Sequence, residues 1–285
     1  MKIKQIAVII AVMGIMGYLY LQPVKGLVKA KETEETHTED DGHNHGDAAA
    51  VSTVTVEQVS ENAKTVIGEQ LAANINTLEA KLKAARETEK PAIQKELATA
   101  WDAVNQPAPA AFYYKAVAQK ENTASSWISA GNRFNEAWKL TQDTTAQPTY
   151  LANAVEAFET ARKLAPENLD AKTGLGIAYV NGGAQGPMQG ISLLLEVVKQ
   201  DPQNRNANLN LGIFSMKSGQ YDKAVERFKT VVAQKPEVEP YFYLAESYKQ
   251  LGKKKEAIEA YTKCKEMMPD PAFGQRIDEY IKELN

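Results

Sequence analysis

The sequence has one cysteine and three histidines, and it has no dense stripe of lysine and arginine. A single cysteine, Cys264, excludes an intrachain disulfide, and its place among small residues predicts a buried position between helices. No Gly-x-Ser-x-Gly, His-Glu-x-x-His or dinucleotide fingerprint occurs. We therefore expect no enzymatic activity and no cofactor. The net charge of −3 gives no reason to expect nucleic acid as a partner.

One long apolar run is present near the N-terminus. Residues 6–21 contain no charge and would span about 24 Å as a helix. A cleaved signal peptide would need small residues at a cleavage site, and the only candidate, Val28-Lys29-Ala30, is poor. A lipoprotein would need a cysteine after the run, and none is there. The run therefore predicts a single transmembrane signal-anchor over 6–24, after a short cytoplasmic tail over 1–5.

The orientation of this anchor rests on a weak charge difference. Lys2 and Lys4 precede the run, but Lys25, Lys29 and Lys31 follow it, so the positive-inside count is nearly balanced. A short basic tail before the first apolar run favours the N-terminus in the cytoplasm. We expect the protein in the cell inner membrane, with the bulk of the chain facing the periplasm.

A polar segment over 25–53 follows the anchor and predicts an acidic, disordered linker. It contains all three histidines, His37, His43 and His45. His43 and His45 stand among aspartates, so a weak transition-metal site is one hypothesis. The other is a plain tether, since closing a flexible segment around a metal costs entropy.

Apolar residues at steps of three and four predict a helical segment over 54–120. The first helix would run from Val54 to about Thr88, and a second would start at Pro91. Pro107 and Pro109 would end the second helix, before a third over 110–119. The segment could be a degenerate repeat, a cap on the rest of the chain or a dimerising coiled coil.

A pattern of small, large and turn residues recurs through the second half of the chain. It consists of Leu211, Gly219, Ala224, Phe228 and Pro236. The same series returns 33 residues later at Leu244, Gly252, Ala257, Tyr261 and Pro269. Two looser copies precede it, one with an enlarged turn over 181–187 and one with about ten extra residues over 140–150. Each copy predicts two helices joined by a turn, and such hairpins must stack to bury their apolar faces.

This spacing resembles the tetratricopeptide repeat (TPR) family. The resemblance implies an all-α solenoid over 125–269, with repeats at about 125–168, 169–204, 205–237 and 238–270. Asp270 and Pro271 then start a last helix over 271–285, whose single wet face predicts a solenoid cap.

The resemblance also implies a partner-binding groove lined by the first helix of each hairpin. Helical phasing separates positions that face the groove from those in the core. The expected groove residues are Ile128, Asn132, Thr173, Ile177, Val180, Leu209, Ile213, Met216, Lys217, Phe242, Glu246 and Lys249. Either a partner or the chain's own N-terminal helices would cover such an apolar strip.

The expected function is therefore a membrane-anchored TPR scaffold that binds a protein or peptide in this groove. It is similar to bacterial periplasmic and envelope TPR proteins that assist protein assembly, including those of cytochrome c maturation. The alternative is a metal-handling accessory protein that uses His37, His43 and His45. The oligomeric state stays open.

Overall fold

The computed structural model describes residues 54–182 and 186–284. Every regular element in those two ranges is an α-helix, so the all-α prediction is confirmed. The described ranges contain no helix that is both long and apolar enough to cross a membrane. The predicted anchor over 6–24 and the linker over 25–53 lie outside them.

The helices are α1 (Val56–Ile67), α2 (Glu69–Ala84), α3 (Lys90–Ala103), α4 (Pro107–Glu121), α5 (Ala124–Leu140), α6 (Gln147–Leu164), α7 (Leu169–Val180), α8 (Pro187–Gln200), α9 (Arg205–Lys217), α10 (Tyr221–Gln234), α11 (Val238–Gln250), α12 (Lys254–Met267) and α13 (Pro271–Leu284).

The second half of the chain folds into four successive helix pairs, α5–α6, α7–α8, α9–α10 and α11–α12. Each helix also packs on the next one in sequence, so the pairs stack into an array. Gly219 and Gly252 occupy the turns of the last two pairs with φ of 74° and 69°. Glycine is favoured there because a Cβ would be strained in that left-handed conformation.

Close contact between paired helices depends on glycines that face aromatic rings. A Cβ on Gly131 would lie 2.7 Å from the Phe158 ring, and one on Gly174 would lie 2.2 Å from the same ring. Phe158 therefore fills the space between the first two hairpins. Gly212 repeats this arrangement against Phe228, at 2.6 Å. These positions explain why the small residues of the sequence pattern recur in register with the large ones.

The N-terminal segment differs from its prediction in two places. The single helix expected from Val54 to Thr88 is broken at Gly68, whose φ of 80° separates α1 from α2. The second helix ends at Ala103, before Pro107 as expected, but the third helix begins at Pro107 and not at residue 110, so both prolines lie in the first turn of α4. Proline fits there, since the first backbone N–H groups of a helix have no intrahelical acceptor.

Helices α1–α4 extend the array at its N-terminal end. Helix α4 packs on α5, α3 packs on α4, and α1 lies against both α2 and α4. The fully buried side chains of Leu97 and Trp101 anchor α3 in this layer. Among the described helices, none of α1–α4 packs extensively on α7, α9 or α11. The alternative in which these helices fill the predicted groove is therefore not supported.

The last helix has one buried side and one solvated side, as the sequence predicts. The Asp270 carboxylate accepts a hydrogen bond from the Phe273 amide at 2.6 Å and so caps α13. Ile277 and Leu284 are buried against α11 and α12. Cys264 on α12 is fully buried in the same cluster, as predicted, and burial raises the pKa of its thiol to about 11.

Candidate binding surface

The first helices of the four hairpins form the inner side of the array. Helix α5 packs on α7, α7 on α9 and α9 on α11. Among the described helices, their partners α6, α8, α10 and α12 do not pack on one another to the same extent. Because the first helices approach each other more closely than the second ones, the array curves toward them. We call the surface of α5, α7, α9 and α11 on that side the inner face.

A row of apolar side chains follows α7 and α9. Ile177, Val180, Leu209, Ile213 and Met216 are all half-buried, and one methyl group of Val180 lies against Gly190 of α8. They pack against buried clusters on both sides, formed around Leu194 to Phe214 and around Ala224 to Leu284. The row therefore seals the joints between hairpins with part of each side chain and leaves the other part accessible.

Three predicted groove residues lie at the ends of this row. Ile128 on α5 is half-buried and packs beside the Trp127 cluster. Asn132 on α5 and Lys217 on α9 are exposed. The Lys217 ammonium lies 5.9 Å from the centre of the Phe214 ring, a cation–π contact that orients it.

Thr173 is not on an accessible surface. Its side chain is 4 % exposed, because α7 is enclosed at this level by the neighbouring hairpins. The expectation that Thr173 faces a groove is therefore corrected: it lies in the joint between helices.

The inner face of the fourth hairpin is covered by α13. The rings of Phe242 and Tyr280 are 5.7 Å apart, and the Lys249 ammonium binds the Glu283 carboxylate at 2.8 Å. Glu246 accepts a hydrogen bond from the Tyr261 hydroxyl. Phe242, Glu246 and Lys249 are therefore engaged within the chain, and the accessible part of the predicted set is on α5, α7 and α9.

The pKa shifts of Lys249 and Tyr261 agree with their contacts in the fourth hairpin. The hydrogen bond to Glu283 raises the pKa of Lys249 above its usual value. Burial and the Glu246 hydrogen bond raise the pKa of Tyr261 well above the normal range. In the second hairpin, burial and a 2.8 Å hydrogen bond to the Glu159 carboxylate raise the pKa of Tyr179 to about 12.

An ion pair missing from the sequence-based prediction crosses the inner face. The Lys139 ammonium at the end of α5 lies 3.2 Å from the Glu239 carboxylate at the start of α11. These residues are 100 positions apart, so no local pattern could indicate the contact. Only the curvature of the whole array brings them together. Both side chains stay about half exposed, so this ion pair contributes little to the stability of the curved array.

A second contact across hairpins ties α5 to α7. The Asn135 side-chain amide donates to the Gly174 carbonyl at 3.1 Å. The bond joins the two inner helices at Gly174, where α7 has no side chain of its own.

The metal hypothesis is untested by this geometry. His37, His43 and His45 lie outside the described residues. Within 54–182 and 186–284, no three His, Cys, Asp or Glu side chains are grouped to hold a metal ion.

Two family models support the interpretation of the repeats. Both are described as tetratricopeptide repeat, and they match residues 189–244 and 238–271. No curated protein matches the sequence.

One solved structure shows the same fold over a longer range, and others are similar to this chain at lower scores. A thermophilic TPR protein of Thermus thermophilus aligns with a TM-score of 0.52 and 18% identity, over 66% of this chain and 97% of its own. YrrB, a TPR protein with an unusual peptide-binding site, aligns at 0.42 and 19% identity, over 74% and 98%. MamA aligns at 0.44 and 19%, over 63% and 92%. At these identities the likeness concerns the fold alone.

Proposed function

We propose, from the tetratricopeptide repeats that this chain carries, that it is an interaction scaffold whose inner face binds a protein or peptide partner. The contact surface would be the accessible part of α5, α7 and α9. The half-buried apolar row is the observation that carries the proposal.

A partner would gain free energy of binding by covering the apolar row on α7 and α9. Ile177, Val180, Leu209, Ile213 and Met216 keep part of their apolar surface accessible after the hairpins have stacked. Covering such surface contributes about 25 cal/mol per Å². A partner that lays apolar side chains along α7 and α9 would therefore complete the burial that the array leaves unfinished.

The chemistry of the face favours an apolar segment over an acidic one. TPR proteins that hold a chaperone's C-terminal carboxylate use a cluster of Lys, Arg and Asn, and here only Asn132 matches that resemblance. Lys249 is paired with Glu283, and Lys217 at the end of α9 contacts the Phe214 ring. The partner segment would be an amphipathic helix or an extended apolar peptide.

Site-specific photocrosslinking in cells tests this proposal. A photoreactive amino acid replaces Lys217 on α9 in one full-length variant and Lys229 on α10 in the other. Both lysines are exposed and belong to the same hairpin, so neither substitution disturbs the core and only the face differs. We expect one protein to be captured from Lys217 and not from Lys229. Capture from Lys229 alone would place the partner on the outer helices and contradict the proposal.

The proposal includes a membrane tether. The apolar run over 6–24 would anchor the chain in the inner membrane, and the acidic segment over 25–53 would hold the array away from the lipid. A scaffold placed on the periplasmic side would serve envelope protein assembly. The support is the sequence of that run and the short basic tail before it.

Fractionation and protease access test the tether. The full-length protein should stay with the membrane after carbonate extraction, and a variant lacking 6–24 should be released. Protease added to cells with a permeabilised outer membrane should cut the array. Release of the full-length protein by carbonate, or an array protected from protease, would contradict the tether or its orientation.

A further inference from the structure

A second concave surface lies at the N-terminal end of the array, apart from the inner face. It is a cleft of about 720 Å³ between α1, the start of α4, the end of α5 and the loop into α6. Its floor contains Val59, Ala63, Ala146 and Tyr150, all buried. The cleft is therefore built from several elements of the fold and has an apolar base.

Two exposed apolar side chains stand in this cleft. Val66 at the end of α1 is 75 % exposed, and Leu140 at the end of α5 is 60 % exposed. Large apolar side chains with that exposure are few among the described residues. Isolated ones need no explanation, but two in one concave surface indicate that something apolar covers them.

The charged groups of the cleft all have one sign. Glu57, Glu61 and Asp143 line it, and no lysine, arginine or histidine does. The Thr145 hydroxyl and amide donate hydrogen bonds to Asp143, which lower the pKa of this carboxyl and keep it ionised. Glu61 is already paired with the Lys64 ammonium at 2.6 Å, so within the described residues Glu57 and Asp143 supply the carboxylates of the cleft that have no cation beside them.

We propose that this cleft docks an amphipathic helix of a protein partner that carries lysine or arginine along the edges of its apolar face. The apolar side chains would cover Val66 and Leu140, and the cations would meet the Glu57 and Asp143 carboxylates. The lining residues on α1 run from Glu57 to Val66, about 14 Å along the helix. That length fits about two and a half turns of a docked helix. The site is independent of the inner face.

Binding of a designed peptide to the full-length protein tests the proposal. The probe is a fluorescein-labelled 18-residue peptide with leucine at helical spacing and lysine on its flanks. One comparison peptide has glutamate in place of lysine, and another has the same composition with its leucines scattered. Fluorescence anisotropy is measured with the protein in dodecyl maltoside, against micelles without protein. We expect the first peptide alone to bind, and its affinity to fall as salt screens the carboxylates.

Variants of the cleft locate the binding. Leu140→Ser and Val66→Ser should each weaken the affinity about five- to tenfold, since loss of one apolar anchor has an effect of that order. Leu71→Ser, at a 54 % exposed position on α2, is the matched control and should leave the affinity unchanged. Glu57→Gln should weaken binding and flatten its salt dependence, whereas Glu226→Gln on α10 should do neither. All these positions are exposed, so folding is preserved.

Three results would overturn the proposal. Equal binding of the glutamate peptide would remove the charge argument. Equal affinity of Leu140→Ser and Leu71→Ser would place the peptide elsewhere. Concentration-dependent dimerisation of the protein that Leu140→Ser abolishes would assign the cleft to a second copy of this chain.

Discussion

Two glycines in equivalent places of two helices allow a direct test of how the hairpins pack. Gly190 and Gly274 are each the fourth residue of a 14-residue helix that starts with proline. A Cβ on Gly190 would lie 2.4 Å from the Gly176 carbonyl oxygen, in the facing helix α7. A Cβ on Gly274 would meet only the flexible Lys265 side chain, at 3.4 Å. Alanine is therefore excluded by backbone at one position and accommodated at the other.

The comparison isolates the cost of the clash. Replacing glycine by alanine inside a helix contributes about 1 kcal/mol of stability at either position. Overpacking costs about 1–3 kcal/mol, and the upper end applies to Gly190 because carbonyl oxygen cannot move without the helix. We expect Gly274→Ala to raise the free energy of unfolding by up to about 1 kcal/mol, and Gly190→Ala to lower it by about 2 kcal/mol.

Urea unfolding of the two variants and the parent at 25 °C measures this difference. The helical circular dichroism signal gives the midpoint, and the slope should stay the same if only stability changes. A Gly190→Ala midpoint equal to or above that of Gly274→Ala would refute the close approach of α7 and α8.

Three further predictions follow from single contacts. Gly212→Leu should lower the melting temperature, since the Cβ alone would lie 2.6 Å from the Phe228 ring and overpacking costs about 1–3 kcal/mol; an unchanged melting temperature would contradict that contact. The pKa of Tyr179, about 12, lies above its ordinary value. The contribution of Tyr179 to the free energy of unfolding is therefore complete below pH 10 and is lost as the pH rises toward 12. Tyr179→Phe should therefore show a smaller loss of stability over that interval, measured by thermal unfolding at each pH, and an equal loss would argue against the shift. Lys139→Gln should change the free energy of unfolding by less than about 1 kcal/mol, because its ion pair with Glu239 is exposed; a larger change in urea unfolding would show that the pair supports the curvature.

The repeat part of the fold could be predicted because the two helices of each hairpin are close in sequence, so the residues that contact each other recur at a fixed spacing. Gly212 and Phe228 lie in one hairpin, so their spacing records the packing directly. The last helix, α13, could also be predicted, because Asp270 marks its start and apolar residues follow at helical spacing on one face. Gly68 and Pro107 were harder, because a glycine can be tolerated within a helix and a proline can begin one or end one.

The candidate surfaces could be predicted only in part. Helical phasing places Ile213 on the side of α9 that faces the neighbouring inner helices, but it cannot say how far the next hairpin covers it. Thr173 and Phe242 occupy equivalent positions, yet one is buried in a joint and the other lies against α13. The ion pair of Lys139 and Glu239 depends on the curvature of the array, and the N-terminal cleft depends on the packing of several helices. Neither can be predicted from a single stretch of sequence.

Amide hydrogen exchange of the full-length protein, alone and with the partner captured at Lys217, tests the central claim most directly. We predict slower exchange in α7 and α9 on binding, and no change in α8, α10 and α12. Slower exchange confined to α8, α10 and α12 would contradict the inner face as the binding surface.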